Sequence, residues 1–324
     1  MRSGAGPGAR LLLRRVWIGA GQLAILLVLV FALSLVLPGD AADVQNNTIL
    51  GEAQRAYARQ LLGLDVSPVT RFAEWLGGAV RGDFGTSYAN GASVGSVIAE
   101  PFLVTGLLAG LALLVLVPVA VGAGFAAGLA PGSFCDRVIT SISIAVDSIP
   151  DFVFAVLLVA VLSVRLDLLP ATFLGTDLST VLEHPEYLVL PLVVTVARVT
   201  APLVRLIRAG VIDVSGRPYI AQAHRLGVPR FALLARHVAP NALAPAVQEL
   251  GRTGGGLLSG VLIVEAVFAI PGIASELIGA IGNRDDPVIL AIVAITGVIA
   301  VVVNTAIDMA GHRMNPRAAA AVRR

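Results

Sequence analysis

The chain has 324 residues, 56% of them hydrophobic and 14% charged, with a formal net charge of +2 and a mean hydropathy of +0.87. That much apolar surface has no place in a soluble domain of this length, so the composition specifies a polytopic membrane protein. All 23 basic residues are Arg, which excludes a Walker A or Schiff-base lysine in the chain. The single Cys135 excludes an internal disulfide or a multi-cysteine metal site.

Residues 1–15 carry Arg2, Arg10, Arg14 and Arg15 ahead of an apolar run over 16–37. The run is longer than a signal-peptide core and no small-x-small cleavage site follows it, so a retained first span with a cytoplasmic N-terminus is expected. Residues 38–101 are the one sizeable polar stretch, expected as a small extracytoplasmic region of helices and Gly turns. Residues 102–311 hold five further apolar runs: Phe102–Ala130, Val138–Val164, Tyr187–Val211, Ala246–Ile270 and Val288–Ala310. Within them Gly106/Gly110, Gly124/Gly128, Gly251/Gly255 and Gly256/Gly260 stand at the small-xxx-small spacing that permits close helix contact. Residues 312–324 are expected as a cytoplasmic C-terminus. With this topology most arginines fall in the cytoplasmic segments, as the positive-inside rule requires.

The loop over 212–245 is the one long segment that is both basic and amphipathic. Between Arg217 and Pro245 it mixes Gln222, Arg225, Arg230, Arg236 and His237 with Ile220, Leu226, Phe231, Leu233 and Leu234. Such a pattern predicts short helices along a membrane surface. Gly227 and Pro229 break it into a helix–turn–helix, with Pro229 opening the second helix.

This stretch resembles the cytoplasmic coupling loop of ABC-importer permeases, in which E-A-A is followed three residues later by Gly and then by I-x-L-P. The corresponding residues are Ala221-Gln222-Ala223, Gly227 and His237-Val238-Ala239-Pro240, with Ala221 in place of the leading Glu. Elsewhere Leu62–Asp65, the stretch from Trp75 to Tyr88, Glu265–Gly272, Asn283–Val288 and Asn315-Pro316-Arg317 resemble motifs of the peptide/nickel branch. The resemblance implies an all-α, six-span type I permease fold. It also implies a homologous second permease subunit, two ATP-binding subunits holding ATP and Mg, and an extracytoplasmic substrate-binding protein, in a bacterial plasma membrane. Peptides are the expected solute, nickel complexes or another small solute the alternative. In this family Ala221, Gln222, Ala223, Arg225, Leu226, Gly227 and Arg230 would contact an ATPase. An ion-coupled secondary transporter is the reading from a different class; it would call for internal inverted repeats, and none is evident. No nucleic-acid partner and no cofactor held by this chain are expected.

Ionisable groups inside spans cost about 2.5–3.5 kcal/mol each on insertion scales and should face water or other helices. Asp147 and Asp151 are four apart, on one face of a continuous helix. They either line a pathway and favour cationic solutes, or serve the helix break at Pro150 by capping it or pairing with Arg198 or a partner's arginine. Glu265 and Asp308 are expected to hold helix ends or inter-subunit contacts. The four histidines are scattered and suggest no metal cluster.

Overall fold

A computed structural model describes residues 7–45, 52–173 and 178–314. In chain order the helices are α1 (Pro7–Val36), α2 (Ala41–Gln45), α3 (Glu52–Leu61), α4 (Pro68–Ala79), α5 (Val94–Leu129), α6 (Phe134–Asp147), α7 (Asp151–Leu158), α8 (Leu178–Glu183) and α9 (Val189–Ser215). There follow α10 (Pro218–Arg225), α11 (Arg230–Leu233), α12 (Ala239–Phe268), α13 (Ile273–Gly282) and α14 (Asp286–Met314). A π-helical segment, Val159–Arg165, extends α7, and another, Leu234–Val238, joins α11 to α12. The described residues contain one isolated bridge, Thr86 to Ser93, and are otherwise helix and turn. Among the described residues, four helices are long and apolar enough to cross a membrane alone, and up to six spans result if each of two broken pairs counts as one. The fold is therefore an all-α polytopic membrane protein. Arg2, residues 315–324 with Asn315-Pro316-Arg317, and the side chains of Asp308 and of 251–259 lie outside what is described.

The chain divides into two units. The first contains residues 1–105, 175–182 and 269–301. Its core is the contact of α1 with the start of α14 through Leu27, Phe31 and Leu290. Close approach is set by two glycines: a Cβ on Gly19 would stand 2.5 Å from Val301, and one on Gly297 2.5 Å from Leu23. Between α1 and α5 lie the short helices α2, α3 and α4 and Gly turns, and α5 begins at Val94.

The second unit contains residues 106–174, 183–268 and 302–324. Its interior is built on α9, whose Val204, Ile207, Val211 and Val214 are buried against α5 and α12. Gly124 and Gly128 of α5 perform the close contact their spacing predicts, since Cβ atoms there would lie 2.6 and 2.7 Å from Ile207 and Val211. Gly106, Gly110 and Gly260, by contrast, have nothing within 4 Å. Spacing alone does not distinguish a packed pair from an open one. Gly210 meets α12 still more tightly, with the Ala242 carbonyl oxygen 2.5 Å from where its Cβ would be.

The expected third span is not one straight helix. α6 and α7 meet at 110° across Ser148-Ile149-Pro150. Pro150 lacks the N–H that would continue α6 and pushes Ile149 out of helical geometry. The inference that Asp147 and Asp151 share one helical face therefore fails, because no helix connects them.

Candidate functional site

The basic loop folds as the expected helix–turn–helix, with one difference in its second half. Pro218 occupies the first turn of α10, where a missing N–H costs nothing. The helix ends in a Schellman motif: Val228 N–H donates to the Ala223 carbonyl (3.2 Å) and Gly227 N–H to that of His224 (3.0 Å). Gly227 takes φ +79° to close it. Pro229 is the N-cap of α11, which does not lie as a separate surface helix but runs through the π segment directly into α12. The Asn241 side chain donates to the His237 carbonyl of the π segment (2.8 Å).

Burial sorts the apolar residues of this loop into two sets. Ile220, Leu233 and Val238 are buried and root the loop on α9 and α12, with Ala223, Val228 and Leu234 packed beside them. Leu226 and Phe231 point outward, 74% and 83% exposed. Around them Ala221, Gln222, Arg225 and Arg230 are exposed as well. Thus the motif residues Ala221, Gln222, Arg225, Leu226, Gly227 and Arg230 share an open surface, while Ala223 helps hold it to the chain.

A second constellation binds the broken helix to α9. Asp136 is buried at the start of α6, where Ser133 caps the helix by accepting from Asp136 N–H (3.1 Å). Its carboxylate accepts from Gly132 N–H (2.8 Å) and from Arg208, Nη2 at 2.8 Å and Nε on the other oxygen. At the far end of α6, Arg205 Nη2 is 2.6 Å from Asp147 and Arg198 Nη1 is 3.3 Å from it. Arg198 Nε also lies 2.9 Å from Asp151 Oδ1, an ion pair whose angle makes no hydrogen bond. Arg198 and Arg205 donate in addition to the Asp147 and Ser143 carbonyls at the open C-terminus of α6, where cations complement the helix dipole. Three carboxylates therefore face three guanidiniums, and the cluster is neutral.

A family model described as binding-protein-dependent transport system inner membrane component matches residues 120–320. The chain belongs to this family. The permease subunit of Escherichia coli K12 named for glutathione transport, GsiC, is 31% identical over 294 residues, 91% of this chain and 94% of that protein. A Brucella suis protein with peptide permease in its name is 31% identical over 314 residues, 95% and 98% of the two chains. The dipeptide transport permease DppB of Bacillus subtilis is 28% identical over 310 residues, 95% and 97%. The protein is a permease subunit of an ABC importer.

Two motifs on which the resemblance rested meet inside the first unit of the permease. Asp285 of the Asn283–Val288 stretch is buried and accepts from Tyr88 N–H (3.0 Å), Ala89 N–H (3.2 Å) and Ser87 Oγ. Neighbouring Arg284, at φ +56°, donates to the Pro38 carbonyl at the end of the first span (2.7 Å). A cleft of about 200 Å3 opens beside them, lined by Ser34, Asp40, Arg71, Tyr88, Arg284 and Asp286. Burial raises the Tyr88 phenol above its ordinary pKa, opposed by the Arg71 guanidinium beside it.

Asp147, Asp151 and Arg198 are legible in the sequence as a possible set, whereas Asp136, Arg205, Arg208 and Asp285 meet their partners only in the fold. For Arg205 and Arg208 a signal existed, since charges within an apolar helix demand partners. Glu265 is fully buried, so it belongs to the interior of its own chain and not to an inter-subunit surface.

Proposed function

We propose that this permease forms one transmembrane half of an importer for peptides or peptide-like solutes. Its partners are a homologous second permease, two ATP-binding subunits that hold ATP and Mg, and an extracytoplasmic binding protein that delivers the solute. It sits multi-pass in the bacterial plasma membrane with both termini cytoplasmic, residues 38–101 outside and the loop over 212–245 inside. The solute class rests on the relatives named for dipeptide and glutathione transport.

The observation that carries the mechanism is the exposed pair Leu226 and Phe231 on a firmly rooted loop. These side chains insert into a groove of an ATP-binding subunit; Arg225 and Arg230 supply polar contacts at its rim, beside Ala221 and Gln222. Gly227 fixes the angle between the two helices. When the ATP-binding subunits close, the loop moves with them. α9 and α12, interlocked at Gly210 and Ala242, carry that displacement. The arginines of α9 pass it to the α6–α7 elbow through Asp136, Asp147 and Asp151.

That elbow borders the pathway. Arg198, Arg205 and Asp147 are partly exposed, and at membrane depth their open side faces water or another polypeptide, not lipid. The balance of three acids against three arginines removes the reason to expect a preference for cationic solutes and suits zwitterions. The test is Phe231→Asp in the assembled transporter in proteoliposomes. Insertion stays normal while uptake falls about tenfold or more, the equivalent of about 1.4 kcal/mol of coupling energy; unchanged uptake would overturn the mechanism.

A further inference from the structure

Helix α4 packs on the spans of the first unit in a way that fixes which of its faces points where. We infer that α4 is an interfacial helix whose Val69–Ala73–Leu76–Val80 stripe is embedded in the lipid bilayer. This requires only that α1 and α14 span the membrane and does not depend on the solute.

Depth comes first. Phe72 stacks on Phe31 of α1 with ring centroids 5.0 Å apart, and Trp75 stacks on Phe72 at 6.3 Å. Both also pack against the cluster that includes Leu290 of α14. Phe31 lies five residues before the end of α1 and Leu290 four residues after the start of α14. At 1.5 Å per residue both contacts sit about 6–8 Å inside the helix ends at Val36 and Asp286. Interfacial helices ride about 5–10 Å into the headgroup–acyl boundary.

Orientation follows from the helical period. At about 100° per residue, Phe72, Trp75 and Ala79 form the face against the spans. Val69, Ala73, Leu76 and Val80 form a stripe about 60° wide, a quarter-turn away. All four are exposed, Val69 by 79% and Val80 by 82%. Opposite that stripe stands Arg71, which lines the polar cleft with Asp40, Tyr88 and Asp286 at the span ends. Glu74 and Thr70 occupy the remaining outward arc and are exposed. Since Arg71 marks the water side, the apolar stripe faces the bilayer. Trp75 between the two layers is the side chain favoured at such a boundary.

The test uses the assembled transporter in nanodiscs, with Cys135→Ser and single bimane-labelled cysteines at Val69→Cys, Leu76→Cys and Glu74→Cys. Quenching by phosphatidylcholine spin-labelled near the headgroup is compared with quenching by aqueous iodide. At positions 69 and 76 the lipid quencher should be several-fold the more effective, and at 74 the iodide. Efficient iodide quenching at 69 and 76 would overturn the inference, as would shielding there that appears only when a binding protein is added. A labelled Leu76→Cys that retains uptake keeps a folding defect from mimicking either result.

Discussion

Helices α4 and α10 are built alike. Each is short and opens on a proline in its first turn (Pro68 and Pro218); α4 leaves Val69 and Leu76 uncovered, and the turn and α11 that follow α10 leave Leu226 and Phe231 uncovered. They differ in what surrounds those side chains. Around Leu226 and Phe231 stand Arg225 and Arg230, and the helix is pinned by a left-handed glycine and a buried Ile220. The α4 stripe has no charge within it, and its helix is held laterally by aromatic stacking on spans. An exposed apolar residue thus takes its meaning from its neighbours. Isolated anchors in a basic frame fit a protein groove, whereas an uninterrupted stripe at a shallow depth fits lipid.

Substitutions at the two helices should separate those roles. The largest effect belongs to the coupling surface: Leu226→Asp and Phe231→Asp together should abolish uptake in proteoliposomes while leaving the amount of inserted permease unchanged. An aspartate at Leu76 of α4 should do the reverse, lowering membrane yield but leaving the uptake rate per inserted transporter nearly intact. Next comes the support of the segment that carries α4. Asp285→Ala strands three donors from residues 87–89 and should cost on the order of 3 kcal/mol, seen as a lower melting temperature of the detergent-purified transporter. The scaffold beneath α10 offers a paired contrast: Gly128→Val, which collides with Val211, should destabilise by about 1–3 kcal/mol or more, and Gly106→Val, which meets nothing, should be silent in the same melt. Smaller still is the turn of α10 itself. Gly227→Ala adds about 1–2 kcal/mol of left-handed backbone strain without any clash and should slow uptake a few-fold, whereas Gly227→Asn, better tolerated at positive φ, should restore most of it.

Local chemistry accounts for what could be read in advance. Apolar runs gave the spans, and Gly227 with Pro229 gave the turn, because a turn is specified by the residues that make it. Pro150 announced a break, but not that the chain would swing by 110° there and carry Asp147 and Asp151 off a shared face. Which glycines pack was illegible, since Gly124/Gly128 and Gly106/Gly110 have the same spacing and only the first pair meets α9. The Asp285 clamp joins residues 196 apart and longer, a pairing no window of sequence reveals. The sorting of Ile220 and Leu233 from Leu226 and Phe231 likewise depends on where α9 and α12 lie.

The central claim is that Leu226 and Phe231 enter an ATP-binding subunit. The most direct measurement is site-specific photo-crosslinking in the intact transporter, with a photoreactive amino acid placed at position 226, 231 or, as the buried control, 233. Adducts with the ATP-binding subunit from 226 and 231, changing in yield on ATP binding, and none from 233, are expected. Absence of such adducts from 226 and 231 in a transporter that still imports would contradict the account.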